Sequence, residues 1–199
     1  MINENIKLWA TGEYNGAVPD FEPYMTTYIL KDGDKKGAVL IIPGGSYSFV
    51  SWREAEPVAC GLILWGIMPL CCTTVCRPTD IPGRFQMRRG LCALSAIMPK
   101  SGTWIRTILR YADFPPADTL RQHWVCIMKN IRGMESGKNK PNAMILCYPV
   151  ITSGEYAHRG SFNALCGKYA SNDLLYKMSL EKHVTENTPK TFIWSTFDD

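Results

Sequence analysis

The chain has 199 residues, 46% of them hydrophobic and 20% charged, which fits one folded domain and excludes a disordered polymer or a collagen-like repeat. Nowhere do about 18 apolar residues run together, and the first eight residues carry Glu4 and Lys7 rather than a basic stretch leading into an apolar one. The expectation is therefore no membrane span and no secretory leader, and a net charge of +4 is too mild to argue for nucleic acid or an anionic membrane as partner.

The charge is unevenly spread. Between Cys60 and Gly137 ten Lys and Arg stand against four Asp and Glu, a net of +6, leaving twelve against fourteen, or −2, for the flanks. Eight of the ten Arg and six of the eight Cys also lie in this middle stretch. In a chain of this length without a leader, eight cysteines read as reduced thiols in a cytoplasmic setting rather than as a disulfide scaffold.

In chain order, residues 26–30 alternate loosely as a strand, Asp32-Gly33-Asp34 marks a turn, and residues 37–42 form a second strand. That strand is apolar at every position from Ala38 to Ile42, the pattern of a strand covered on both faces, and Pro43-Gly44-Gly45 stops it. Ser51-Trp52-Arg53-Glu54 has the spacing of a capping box, predicting a helix that begins there and turns Ala55, Val58 and Ala59 inward. Strand, glycine loop and helix make an α/β unit. In the middle, Pro69, Pro78, Pro82, Pro99, Pro115 and Pro116 interrupt every window, no period persists, and only residues 105–111 suggest a short helix. Order returns with a strand over 143–148, a helix over 172–180 carrying Leu174, Leu175 and Met178, and a strand over 191–194. The apolar runs at 37–42, 143–148 and 191–194 are expected to be adjacent parallel strands.

These residues resemble a known family. Val39-Leu40-Ile41-Ile42-Pro43-Gly44-Gly45-Ser46-Tyr47 followed by Arg53-Glu54-Ala55-Glu56-Pro57-Val58-Ala59 is similar to the start of α/β-hydrolase esterases of the acetyl-esterase and acetyl-xylan-esterase-like group. Ile145-Leu146-Cys147-Tyr148-Pro149-Val150-Ile151-Thr152 resembles the strand after that family's nucleophile helix, and Thr188 to Trp194 with Asp198-Asp199 resembles the strand leading to its catalytic acid. The resemblance implies a mostly parallel sheet with flanking helices and an exposed Ser on a G-x-S-x-G turn, with a His, a carboxylate and backbone N–H donors for the oxyanion. It assigns the oxyanion loop to Gly44, Gly45 and Ser46 and the acid position to Asp199. Ser46 replaces a glycine common in the family, so its side chain narrows the approach.

Two parts of the pattern are missing. No G-x-S-x-G occurs, the nearest being Gly44-Gly45-Ser46-Tyr47-Ser48, and the sequence reaches Asp199 before the family's His would follow. His123, His158 and His183 stand elsewhere and read as ordinary surface or loop residues. The middle makes sense as the same gene read one nucleotide out of register. Joining the last base of each codon to the first two of the next lets residues 111–119 spell C-G-F-S-A-G-G-H, which contains the missing elbow. Residues 65–76 likewise permit G-Y-N-A-F-V-L-Y-Y-S-V, a buried strand in which the single codons of Trp65 and Met68 force the Gly and the Ala. On this reading Ser95 and Ser101 were never selected as nucleophiles.

Other clusters have plainer readings. Cys71-Cys72-x-x-x-Cys76 lacks the second pair that a zinc site needs, and Arg77, Arg84, Arg88 and Arg89 read as a solvated basic loop. The expectation is an incomplete α/β-hydrolase-type domain over residues 1–199, with 60–137 aberrant and poorly ordered and the C-terminus truncated. By resemblance it is a carboxylic ester hydrolase for small esters or acetylated carbohydrates, without metal, cofactor, nucleic-acid or membrane partner, and inactive as written. The alternative is a non-catalytic basic binding protein using the Arg-rich middle.

Overall fold

The computed structural model describes residues 2–7, 24–30, 36–45, 50–73, 104–106 and 143–196. Five strands, β1 (Ile2–Lys7), β2 (Tyr24–Ile29), β3 (Lys36–Ile41), β4 (Met68–Thr73) and β5 (Trp104–Arg106), form a mixed sheet in the order β1-β2-β4-β3-β5. The pairs β1–β2 and β2–β4 are antiparallel, whereas β3 runs parallel to β4, with Leu40 opposite Leu70, and to β5, with Gly37 opposite Ile105. A parallel pair, β6 (Ala143–Cys147) and β7 (Lys190–Trp194), sets Ile145 opposite Phe192.

β3 behaves as its composition demands: Ala38, Val39, Leu40, Ile41 and the following Ile42 are all buried. One cover is α1 (Glu56–Leu64), whose Ala59 is buried with Tyr28, Val39, Ile41 and Cys71 while Ala55, Val58, Leu62 and Ile63 pack around them. Parallel strands need such cover because both faces of the sheet are apolar. A second core of Val150, Phe162, Leu165 and Met178 joins α2 (Arg159–Cys166) to α3 (Asn172–Met178), with Leu174 and Leu175 against it. α3 starts on Ser171, whose hydroxyl accepts the Leu174 N–H, and α2 ends on Gly167 at φ 88, a conformation open to glycine at little cost.

Several expectations need correction. The three apolar runs are not mutual neighbours: β6 and β7 pair as expected, but β3 has β4 on one side and β5 on the other. β7 is also exposed along its whole length, including Phe192, Ile193 and Trp194, so an apolar run did not here mean a covered strand. Ile105 and Arg106 lie in β5 rather than in a helix; residues 107–111 are outside the described residues, as is Asp32-Gly33-Asp34. β4 forms in the middle stretch despite Pro69. That proline precedes the first β2–β4 pair, Thr27 with Leu70, so the antiparallel ladder does not call on the N–H that proline lacks. Most of residues 60–137 otherwise falls outside the described residues. Among the described residues no helix is long and apolar enough to cross a membrane.

Candidate active site

The carboxyl end of β3 is where an open α/β sheet offers its ligand crevice. The chain leaves the strand through Ile42, Pro43, Gly44 and Gly45, all buried, and Gly45 adopts φ 135. A side chain at that φ is strained, so the turn depends on glycine there.

Gly44 is held from both sides. Its carbonyl accepts the Ser51 N–H at 2.9 Å, and its N–H donates to Glu54 Oε2 at 2.7 Å. Glu54 ends a 3₁₀ turn, Trp52–Glu54, and is itself buried, with its N–H donating to the Ser51 carbonyl at 3.2 Å. The predicted capping box is therefore not made: Ser51 is the N-cap of the 3₁₀ turn without a side-chain cap bond, and α1 begins only after Ala55. The side chain expected to reach back to Ser51 spans instead to the amide at the end of β3. The Ser51…Glu54 spacing was visible in sequence, but the preceding glycine loop offered a competing donor that the local rule ignores.

At the carboxyl ends of β6 and β7, Tyr148 has φ 46, unusual for a bulky residue. Its N–H donates to the Trp194 carbonyl at 2.7 Å, and the two rings meet edge to face with centroids 4.3 Å apart. Neither the backbone conformation nor the pairing was legible beforehand.

The histidines are structural where they are described. His158 caps α2: its Nδ1 accepts from the Ser161 N–H at 3.3 Å and lies 2.7 Å from Ser161 Oγ. Ser161 is buried, so this Ser–His contact is a helix cap rather than an accessible nucleophile and base. His183 follows a 3₁₀ turn and meets the Tyr176 ring edge to face at 6.2 Å. Cys71 sits in the core beside α1, and among the described residues no group of three or more metal-ligating side chains gathers. Ser46, Asp198, Asp199, His123, Cys76, Ser95, Ser101 and the arginines at 77, 84, 88 and 89 lie outside the described residues.

A parallel core flanked by antiparallel β2 and β1, with a glycine turn leading from β3 to a covering helix, defines the class: this is an α/β-hydrolase fold. The chain is similar to an acetyl ester-xyloside bifunctional hydrolase from Caldicellulosiruptor lactoaceticus at 26% identity and TM-score 0.81, over 98% of this chain and 75% of that one. It also superposes on a putative carboxylesterase from Lactobacillus plantarum at 16% identity and TM-score 0.69, over 100% of this chain and 77% of that one. A sugar hydrolase from Lactococcus lactis aligns at 21% identity and TM-score 0.59, over 92% and 70%. Among curated proteins, endo-1,4-beta-xylanase B of Butyrivibrio fibrisolvens is 29% identical over 207 residues, covering 100% of this chain. The chain spans about a third of that relative's length, 32%. No protein-family model matches.

Proposed function

We propose that the chain carries the scaffold of a serine carboxylic ester hydrolase for small esters or acetylated carbohydrates, and that as written it does not turn them over. The observation behind the scaffold reading is the anchored turn at Gly44-Gly45. In this fold such a turn supplies backbone N–H donors to the tetrahedral oxyanion, each worth about 2.7 to 4 kcal/mol. The Caldicellulosiruptor protein, described as acting on an acetyl ester and a xyloside, supports the substrate class. Gly44, Gly45 and Ser46 are the oxyanion loop in this reading, Gly44 by its place in the turn and not as a donor, since its N–H is bonded to Glu54, and Asp199 holds the acid position. The nucleophile is absent because residues 60–137 are the gene's other frame, in which 111–119 would spell G-F-S-A-G. Without the elbow, binding and oxyanion donors alone remain, and loss of a triad member removes most of the rate acceleration.

Purified protein is expected to hydrolyse p-nitrophenyl acetate and acetylated xylo-oligosaccharides no faster than a heat-denatured control. A fluorophosphonate label retained stoichiometrically on one serine would overturn the inactivity. The coding DNA tests the frame: close relatives that spell residues 60–137 as they stand here, in an uninterrupted frame, would refute the shift.

A further inference from the structure

The buried carboxyl group of Glu54 is unusual enough to need a purpose. Glutamate is rarely fully buried, and taking a carboxyl group out of water is costly unless hydrogen bonds replace the hydration. Its Oε2 receives the Gly44 N–H at 2.7 Å, at the point where β3 has ended and its ladder no longer supplies that amide with an acceptor. The same glycine's carbonyl is bonded to Ser51, three residues ahead of Glu54. Gly44, Ser51 and Glu54 are thus tied to one another, and the Gly44 N–H is already spent on Glu54.

We propose that Glu54 is the positioning residue of this turn: its carboxyl oxygen fixes the Gly44 amide inward, which sets the φ 135 conformation of Gly45 and withdraws the Gly44 N–H from any part in holding a substrate oxyanion. The oxyanion role rests on the esterase reading above; the anchoring of the turn does not. Glu54 touches no reacting atom and acts through the backbone of Gly44.

The test uses the intact chain with uniform ¹⁵N labelling and backbone amide exchange, comparing Glu54→Gln, which keeps an oxygen acceptor, with Glu54→Met, which fills similar space without one. In Glu54→Met, protection of the Gly44 amide should fall by about tenfold or more, as expected when a buried donor loses its acceptor, and the Gly44 and Gly45 resonances should move. The amides of Ala38 and Leu40 should keep their protection. Glu54→Gln should restore the Gly44 and Gly45 signals toward the parent positions. Unchanged Gly44 protection in Glu54→Met would overturn the proposal. So would equal loss across β3 in both variants, because Glu54 would then support the whole domain rather than the turn. No substrate enters this measurement, so a failure of the esterase reading shows up separately, in the turnover and labelling assays.

Discussion

The same deletion at two isoleucines separates the core from the uncovered strand. Ile41 is 0% exposed, enclosed by Tyr28, Val39, Ala59 and Cys71, whereas Ile193 in β7 is 54% exposed. Replacing either by Ala removes three carbons, about 2.4 kcal/mol of transfer free energy at about 0.8 kcal/mol each if the site is fully buried. At Ile41 the neighbours belong to three strands and a helix and cannot close the gap, so a cavity term adds to this and the total should reach about 3 to 5 kcal/mol. At Ile193 much of the side chain already meets water, and the loss should stay below about 1 kcal/mol. For a chain of this size each kcal/mol moves the melting midpoint by roughly 2 to 4 °C. Ile41→Ala should therefore melt roughly 6 to 20 °C lower and Ile193→Ala within about 4 °C of the parent, by circular dichroism at 222 nm with denaturant titration as a check. Equal losses at the two positions, or a loss at Ile41 below about 1 kcal/mol, would refute the assignment of the core to the β3–α1 layer.

Tyr28 has its pKa pushed up to about 12, first by burial and then by the nearby Glu56. A raised phenol pKa means that above the unfolded value, near 10, the unfolded chain releases a proton that the folded chain keeps. Stability from this group is thus complete below about pH 10 and lost as pH rises toward 12. Tyr28→Phe should flatten that decline in alkaline melts and remove one late phenolate step at 295 nm; an unchanged titration would contradict it. Two glycines should respond oppositely to Ala, since a new Cβ would meet nothing within 4 Å at either position, but Gly167 has φ 88 and Gly37 no positive φ. Gly167→Ala should cost about 1 to 3 kcal/mol, while Gly37→Ala should be neutral or stabilising by about 0.4 to 1 kcal/mol. Denaturant midpoints decide both, and a tolerated Gly167→Ala would show that the end of α2 is laxer than its geometry implies.

What could be read from the residues alone follows from how local the cause is. β3 and β6 announce themselves because an unbroken apolar run has few other uses, and α3 because Leu174, Leu175 and Met178 share a face above a serine cap. α2 was missed: Gly160 and Ser161 are poor helix residues and its cap is a histidine, although Phe162 and Leu165 followed by Gly167 carry a helical spacing and a stop. β4 was hidden by Pro69, whose harm depends on which neighbour needs its amide, a fact of pairing rather than of sequence. The site was half legible. The glycine turn stood out through its position after a buried strand, but the partner of its amide lies ten residues on, and the capping rule assigned that partner elsewhere.

The contact between Tyr148 and Trp194 ties two chain segments that are 46 residues apart. Because the amide at the bend after β6 is bonded to the last carbonyl of β7, the direction in which the chain departs from β7 is written partly into the neighbouring strand. Anyone grafting a new segment after β7 would have to treat residue 148 as part of the graft, since a residue that relaxes out of the left-handed conformation there would re-aim the segment without a single change within it.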